Sequence, residues 1–322
     1  MTARWLVTGA GGMLGRDLVG VLRARGHDVT AATRADLDIR DASAALRCVA
    51  GHDVVVNAAA WTDVDGSERN EAAATTVNGA GVGNLARACD AHGAKLIQVS
   101  TDYVFSGEHA SGRNTTYTED SPTGPVNAYG RSKLVGERAV AELLPHSGYV
   151  VRTSWLYAGH GRNFATTMLD LAARQETVQV VTNQRGHPTW SAALAGRLAE
   201  AGTRAIAGAL PPGTYHGTGT GHTTWFELAR AIFELSGLDP ERVRPTTSGS
   251  LGRPARRPER CVMSQDRWRT AGLPPLPPWR DQLAAALRTP DFARRSALAR
   301  LSLPHDTGRI VRKDPRRSRG SQ

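Results

Sequence analysis

The 322 residues are 40% hydrophobic and 22% charged, which excludes a chain disordered throughout and gives length for about two domains at ~150 residues each. Cys48, Cys89 and Cys261 lie far apart with no CxxC, which argues against a disulfide framework or a zinc ribbon and fits a reducing cytoplasm. The net charge of +10 would suit a nucleic-acid partner, but nine Lys or Arg against three Asp between Asp291 and Gln322 put about +6 of it in the last tenth of the chain, and no RNA-binding motif or zinc finger is visible.

The N-terminus runs straight into Arg4-Trp5-Leu6-Val7-Thr8-Gly9, with no leader pattern, and no apolar run approaches the ~18 residues of a membrane helix. Neither nucleic acid nor membrane is therefore expected as a partner, and a cytoplasmic location is. Short apolar runs at Trp5–Thr8, Val29–Thr33, Val54–Ala58, Leu96–Ser100 and Tyr149–Thr153 suit parallel strands buried on both faces. Helical patterns at Leu14–Arg25, Ala72–His92 and Ala128–Leu144 alternate with them. The expectation is an α/β fold with a doubly wound parallel sheet of Rossmann type over residues 1–154, with ligands at the rim formed by the strands' C-terminal ends.

Residues 155–288 read as a smaller α/β substrate-binding domain, with some interleaving of segments. Helical patterns at Phe164–Ala173, Ser191–Ala205 and Trp225–Ser236 enclose short strands at Val178–Val181 and Thr214–Gly217, and Gly and Pro punctuate the region heavily. Residues 289–322 are expected to be a solvated, disordered basic tail.

The first chemical signal is Val7-Thr8-Gly9-Ala10-Gly11-Gly12-Met13-Leu14-Gly15, directly after a strand and opening a helix. Glycines here let the backbone turn tightly and approach a pyrophosphate, and the helix N-terminus presents free N–H groups to it. Gly9, Gly11, Gly12, Met13, Leu14 and Gly15 are the candidate dinucleotide loop, although a plain glycine-rich turn has the same composition. At the end of the second strand an acidic residue would bind a ribose 2′-hydroxyl and a basic one would accept a 2′-phosphate. Arg34 stands there, which favours NADPH while leaving NADH open; a surface arginine would look the same. Asp38 and Ile39 are candidates for the adenine, and the small residues Ala59 and Ala60, with Thr62, would let the cofactor pass close to the third strand.

Thr101 ends the fourth strand in Ser100-Thr101-Asp102-Tyr103-Val104-Phe105, and Tyr129 and Lys133 follow at i and i+4 on one face of a helix. A free tyrosine, with pKa ~10, moves protons poorly near neutrality, and a nearby ammonium would lower that value. A hydroxyl from Thr101 would polarise a carbonyl. A YxxxK alone is common on surface helices; its combination with the glycine loop and a strand-end Ser-Thr is specific.

These stretches in this order resemble the extended short-chain dehydrogenase/reductase superfamily and, more narrowly, the dTDP-4-dehydrorhamnose reductase family. The resemblance rests on the glycine loop, Asn57-Ala58-Ala59-Ala60 with Thr62 and Val64-Asp65, the block 100–105, and Pro125-Val126-Asn127-Ala128-Tyr129-Gly130-Arg131-Ser132-Lys133. It continues through Arg152-Thr153-Ser154-Trp155-Leu156-Tyr157, Asn163-Phe164, Thr167-Met168, Gln184-Arg185-Gly186-His187-Pro188-Thr189 and Arg257-Pro258, from Arg4 to about Leu287. It implies that Thr101, Tyr129 and Lys133 reduce a sugar C4 ketone on a dTDP-linked keto-deoxysugar with a nicotinamide hydride. It further implies that Thr101, Asp102 and Trp155 contact the sugar, that Asn163, Gln184 and Arg257 serve the nucleotide diphosphate, and that the protein is a monomer or homodimer. Trp155 would equally suit core packing, and Arg257 a surface charge.

The sequence departs from the family at Trp61, where Tyr or His is more usual, and at Asp65-Gly66-Ser67-Glu68. Some members bridge a dimer through a magnesium ion; a matching position is Ala192 here, so no metal is expected. A variant of the same reading is an antibiotic-sugar reductase similar to dTDP-dihydrostreptose synthase, as in streptomycin formation. Alternatives within the superfamily are a nucleotide-sugar epimerase and a non-catalytic NADP-binding protein like the regulatory subunit of methionine adenosyltransferase.

Overall fold

A computed structural model describes residues 3–108 and 116–301. Five parallel strands form the first half: β1 (Arg4–Thr8), β2 (Asp28–Ala32), β3 (Val54–Asn57), β4 (Lys95–Thr101) and β5 (Gly148–Thr153). They are joined by α1 (Met13–Ala24), α2 (Ala42–Val49), α3 (Val64–Arg69), α4 (Glu71–Thr75), α5 (Gly81–His92) and α6 (Ala128–Leu143). A π-turn at Thr76–Ala80 links α4 to α5, so the single helix expected over Ala72–His92 carries a bulge. Every residue of β3 and β5 is buried; Val54–Val56 and Tyr149–Val151 read as apolar runs for that reason, while Asn57, Arg152 and Thr153 are buried polar ends.

The six-stranded sheet runs β2-β1-β3-β4-β5 and ends with Gly213–His216, whose Tyr215 lies opposite Val151. Strand order reverses between β1 and β3, and a crevice opens beyond their C-terminal ends. The register there sets Thr8 opposite both Ala32 and Asn57, and Thr101 opposite Thr153. One face of the sheet buries Trp5, Val7 and Val56 with α1 and the helix Ser191–Ile206; the other buries Leu6, Val55 and Leu96 with α2, α5 and α6.

Two segments expected in the smaller unit thus belong to the large sheet: the strand near Thr214 is its edge, and Ser191–Ile206 covers one face. Composition could not show this, because a strand's partner is a tertiary property. A separate core gathers Tyr157, Met168, Leu169, Ile232, Phe233 and Leu283.

The basic tail starts differently from expectation. Pro290–Leu301 is a helix that buries Phe292, Ser296 and Ala299, at i, i+4 and i+7. Phe292 packs edge-on against Tyr157 at 6.5 Å, and Arg295 pairs with Asp170 at 2.6 Å. The charge count hid this narrow buried stripe. The rest of the tail expectation, 302–322, lies outside the described residues.

Candidate active site

A cavity of about 1070 Å³ lies at the strand switch point and reaches the second core. Gly9 opens it with φ of 67°, and a Cβ there would sit 2.6 Å from the Ala59 amide nitrogen. Only glycine fits both the left-handed backbone and this close approach. The helix α1 then begins at Gly12 with no side-chain cap and no acidic residue in its first turn, so its first N–H groups are open to an anion. Gly11, Gly12, Met13 and Leu14 line the cavity, as do Ala59, Ala60 and Thr62. Gly15 does not; it lies beneath the loop, where a Cβ would meet the Gly9 carbonyl oxygen.

Arg34, Asp38 and Ile39 line the same end. The Asp38 carboxylate is held by Arg40, with Nε at 2.9 and 3.1 Å from its two oxygens, and Arg34 stands 3.7 Å away. The Arg40 hydrogen bond is the main cause holding Asp38 down at about 2, despite partial burial. Arg34 itself is 80% exposed, so its guanidinium is free to meet a second anion.

The residues fit a dinucleotide: an uncapped helix N-terminus, a loop whose Gly9 leaves no room for a Cβ, and a basic group at the far end. Two buried hydroxyls on the cavity wall, Ser100 Oγ and Thr153 Oγ1, have no hydrogen-bond partner among the described residues.

Thr101, Tyr129 and Lys133 line this same cavity. α6 carries the last two and is fixed at its N-terminal end. Asn127 caps it, accepting from the Gly130 amide at 2.7 Å, and Glu68 accepts from the Ala128 amide at 2.8 Å. Further along, Glu137 and Arg152 form a buried ion pair at 2.7 Å that ties α6 to β5. Inside the bulge, Asn78 accepts from the Trp61 amide and donates to the Ser132 hydroxyl at 2.9 Å, joining the loop after β3 to the helix that bears Lys133.

The electrostatics differ from the expectation for Tyr129. Burial pushes its phenol up to about 12; the Thr101 hydroxyl opposes this and the nearby Asp102 charge adds to it. Lys133 donates instead to the Val99 carbonyl at 2.7 Å, and burial lowers it to about 8. Tyr129 is thus held as a protonated acid near neutrality. Asp102 is buried and pushed up to about 6 by desolvation, although the Ser154 and Thr101 hydroxyls donate to it at 2.8 and 3.2 Å.

Asp102, Trp155 and Asn163 also line the cavity; Gln184 and Arg257 do not. Arg257 is committed to Asp65 by two bonds at 2.7 and 2.8 Å, so its fork holds a carboxylate of α3. Asn163 caps the helix Phe164–Ala172, accepting from the Thr166 amide at 3.1 Å, while its Nδ2 reaches the Ala158 carbonyl at 2.8 Å. Its side chain is therefore already bonded to protein. Ser154, Phe164, Trp225 and Asn78 were missed by sequence reasoning. Ser154 sat inside a recognised block, but Trp225 had only a Thr-x-x-Glu capping box, Thr224 to Glu227, to mark it. Among the described residues no cluster of three or more His, Cys, Asp or Glu could hold a metal, and no helix is long and apolar enough to cross a membrane.

Comparison with known proteins matches the RmlD substrate binding domain over residues 3–291. A dTDP-4-dehydrorhamnose reductase of Streptomyces griseus is 55% identical over 282 residues, covering 87% of this chain and 91% of the relative. A dTDP-4-keto-6-deoxy-D-glucose reductase of Streptomyces niveus is 46% identical, covering 89% and 97%. The crystal structure of a dTDP-4-dehydrorhamnose reductase from Bacillus anthracis, in complex with NADP, superposes with a TM-score of 0.83 at 34% identity, covering 89% of this chain and 99% of that one. With the glycine loop, the Tyr-Lys helix and the cavity between them in place, the chain belongs to the RmlD substrate-binding-domain family, alongside the dTDP-4-dehydrorhamnose reductases.

Proposed function

We propose that this chain is an NADPH-dependent oxidoreductase that reduces the C4 ketone of a dTDP-4-keto-6-deoxy-L-sugar. The observation that carries the reading is the meeting of Thr101, Tyr129 and Lys133 in one cavity with an uncapped helix N-terminus and Arg34. The NADP-bound relative and the dTDP-sugar reductases at 55% and 46% identity support it.

When bound, NADPH supplies the hydride. The α1 N-terminus and the glycine loop hold its pyrophosphate, and Arg34 meets the 2′-phosphate. Thr101 donates its hydroxyl to the ketone oxygen, and Tyr129, protonated near neutrality, gives its proton to the forming alkoxide. The Lys133 ammonium, bonded to the Val99 carbonyl in this structure, would turn toward Tyr129 to stabilise the phenolate left behind. Asp102, with Trp155 on the next strand end, orients the sugar. Of the diphosphate candidates, Asn163 and Arg257 are already bonded within the protein, and Gln184 and Arg257 do not line the cavity. The three cysteines are free, which supports a reducing cytoplasm as the setting.

The test is oxidation of NADPH on mixing with dTDP-4-dehydrorhamnose. Stoichiometric oxidation with an alcohol product supports the reading. Cofactor binding without oxidation would point to a non-catalytic NADP-binding protein, and sugar isomerisation without net oxidation to an epimerase.

A further inference from the structure

Trp155 is, among the described residues, the one non-glycine residue with a positive φ, at 46°. A bulky aromatic residue holds that backbone only where its surroundings over-determine it. Here they are identifiable. The Trp155 indole stacks on Trp225 with ring centroids 3.6 Å apart and planes 11° from parallel. Trp225 in turn rests on Phe164 at 4.4 Å. Along its Nε1 edge the Trp155 indole fits against Gly186, where a Cβ would come within 2.7 Å of Cε2 and 2.9 Å of Cζ2.

Both supports are themselves fixed. Gly186 pairs with Thr223 in an antiparallel bridge, and Trp225 is the first residue of a helix closed by the reciprocal Thr224–Glu227 capping box. Trp155 also follows Ser154, whose hydroxyl donates to Asp102, so its backbone angle sets how far the indole stands from Thr101 and Asp102. All three aromatic rings line the cavity.

We propose that Trp225 is a positioning residue: with Gly186 beneath, it locks Trp155 in the left-handed backbone conformation and thereby fixes the wall against which the substrate's sugar ring is held beside Thr101. The inference rests on the reading of the site as that of a sugar-nucleotide reductase, and goes beyond it by assigning a role to residues outside the Thr-Tyr-Lys set. The lock is present before substrate binds, so its loss weakens sugar capture more than it slows the chemistry.

The full-length protein, Trp225→Phe, Trp225→Ala and Gly186→Ala would be compared. A stacked indole pair gives an exciton couplet in circular dichroism, a readout independent of substrate. The couplet is expected in the parent, absent in Trp225→Ala and altered in Gly186→Ala. KM for the keto-sugar nucleotide should rise about 10-fold in Trp225→Ala, with kcat changing less and NADPH affinity unchanged, while Trp225→Phe keeps most of the parental KM. Calorimetric titration with dTDP-glucose separates the two claims: if the parent fails to reduce the keto-sugar, the reductase reading falls. The positioning role is then judged by whether Trp225→Ala weakens dTDP-glucose binding. An unchanged KM and an unchanged dTDP-glucose Kd in a folded Trp225→Ala protein would overturn the proposal, as would a parent without the couplet.

Discussion

The Ser154 hydroxyl donates to the Asp102 carboxylate at 2.8 Å, joining the C-terminal ends of β5 and β4 where both residues line the cavity. The bond offsets only part of the cost of burying Asp102, whose carboxyl titrates at about 6. A carboxyl with a raised folded-state value binds its proton more tightly in the folded than in the unfolded chain. Its stabilising contribution is therefore complete below the unfolded value of about 4 and is lost as pH rises through about 6. Stability of the cofactor-free protein should fall across that window by about 3 kcal/mol from this group, and Asp102→Asn should remove the slope. Urea denaturation at a series of pH values checks both.

Lys133 sets a second pH dependence. Burial lowers it to about 8, so the ammonium is lost as pH rises through that value. The dependence of kcat/KM reports the free enzyme. Reduction should therefore decline on the alkaline side with an apparent value near 8, while Lys133→Met should be inactive at every pH. A profile flat to pH ~10 would remove Lys133 from the proton chemistry.

Cofactor preference tests Arg34. It is largely exposed and stands near the acidic Asp38, which is already paired with Arg40. Arg34→Ala should raise KM for NADPH about 10-fold and leave KM for NADH nearly unchanged, with the difference shrinking at high salt. Steady-state kinetics with both cofactors decides it.

The loop geometry makes Gly9 irreplaceable. Gly9→Ala places a methyl 2.6 Å from the Ala59 nitrogen at a φ of 67°. The variant should melt at lower temperature and bind NADPH at least about 10-fold more weakly, measured by thermal denaturation and by cofactor fluorescence.

The helix Pro290–Leu301 is part of the second core, so Phe292→Ala should cost about 3–5 kcal/mol. A solvated tail would give no measurable change. Denaturant midpoints of the two proteins distinguish these outcomes.

The strands of the first half were legible because parallel strands buried on both faces leave apolar runs such as Val54–Val56. The glycine loop and the Tyr129–Lys133 pair were legible because their chemistry needs fixed local spacing. What stayed hidden depends on distant partners. The edge strand Gly213–His216 has no local mark of the sheet it joins. The stack of Trp155 on Trp225 links residues seventy positions apart. Arg257 carries a fork suited to phosphate, and only the fold reveals that Asp65 occupies it. Tyr129 shows the same limit in electrostatics: spacing placed Lys133 beside it, but the rotamer that sends the ammonium to Val99 is a packing outcome.

The most direct measurement is NADPH oxidation with dTDP-4-dehydrorhamnose by the parent protein beside Tyr129→Phe. Rapid turnover by the parent, reduced about 10²–10⁴-fold in the variant with NADPH binding intact, is the predicted result. Equal turnover by the two proteins would contradict the assignment of Tyr129 as proton donor, and no turnover by a parent that binds NADPH would contradict the reductase itself.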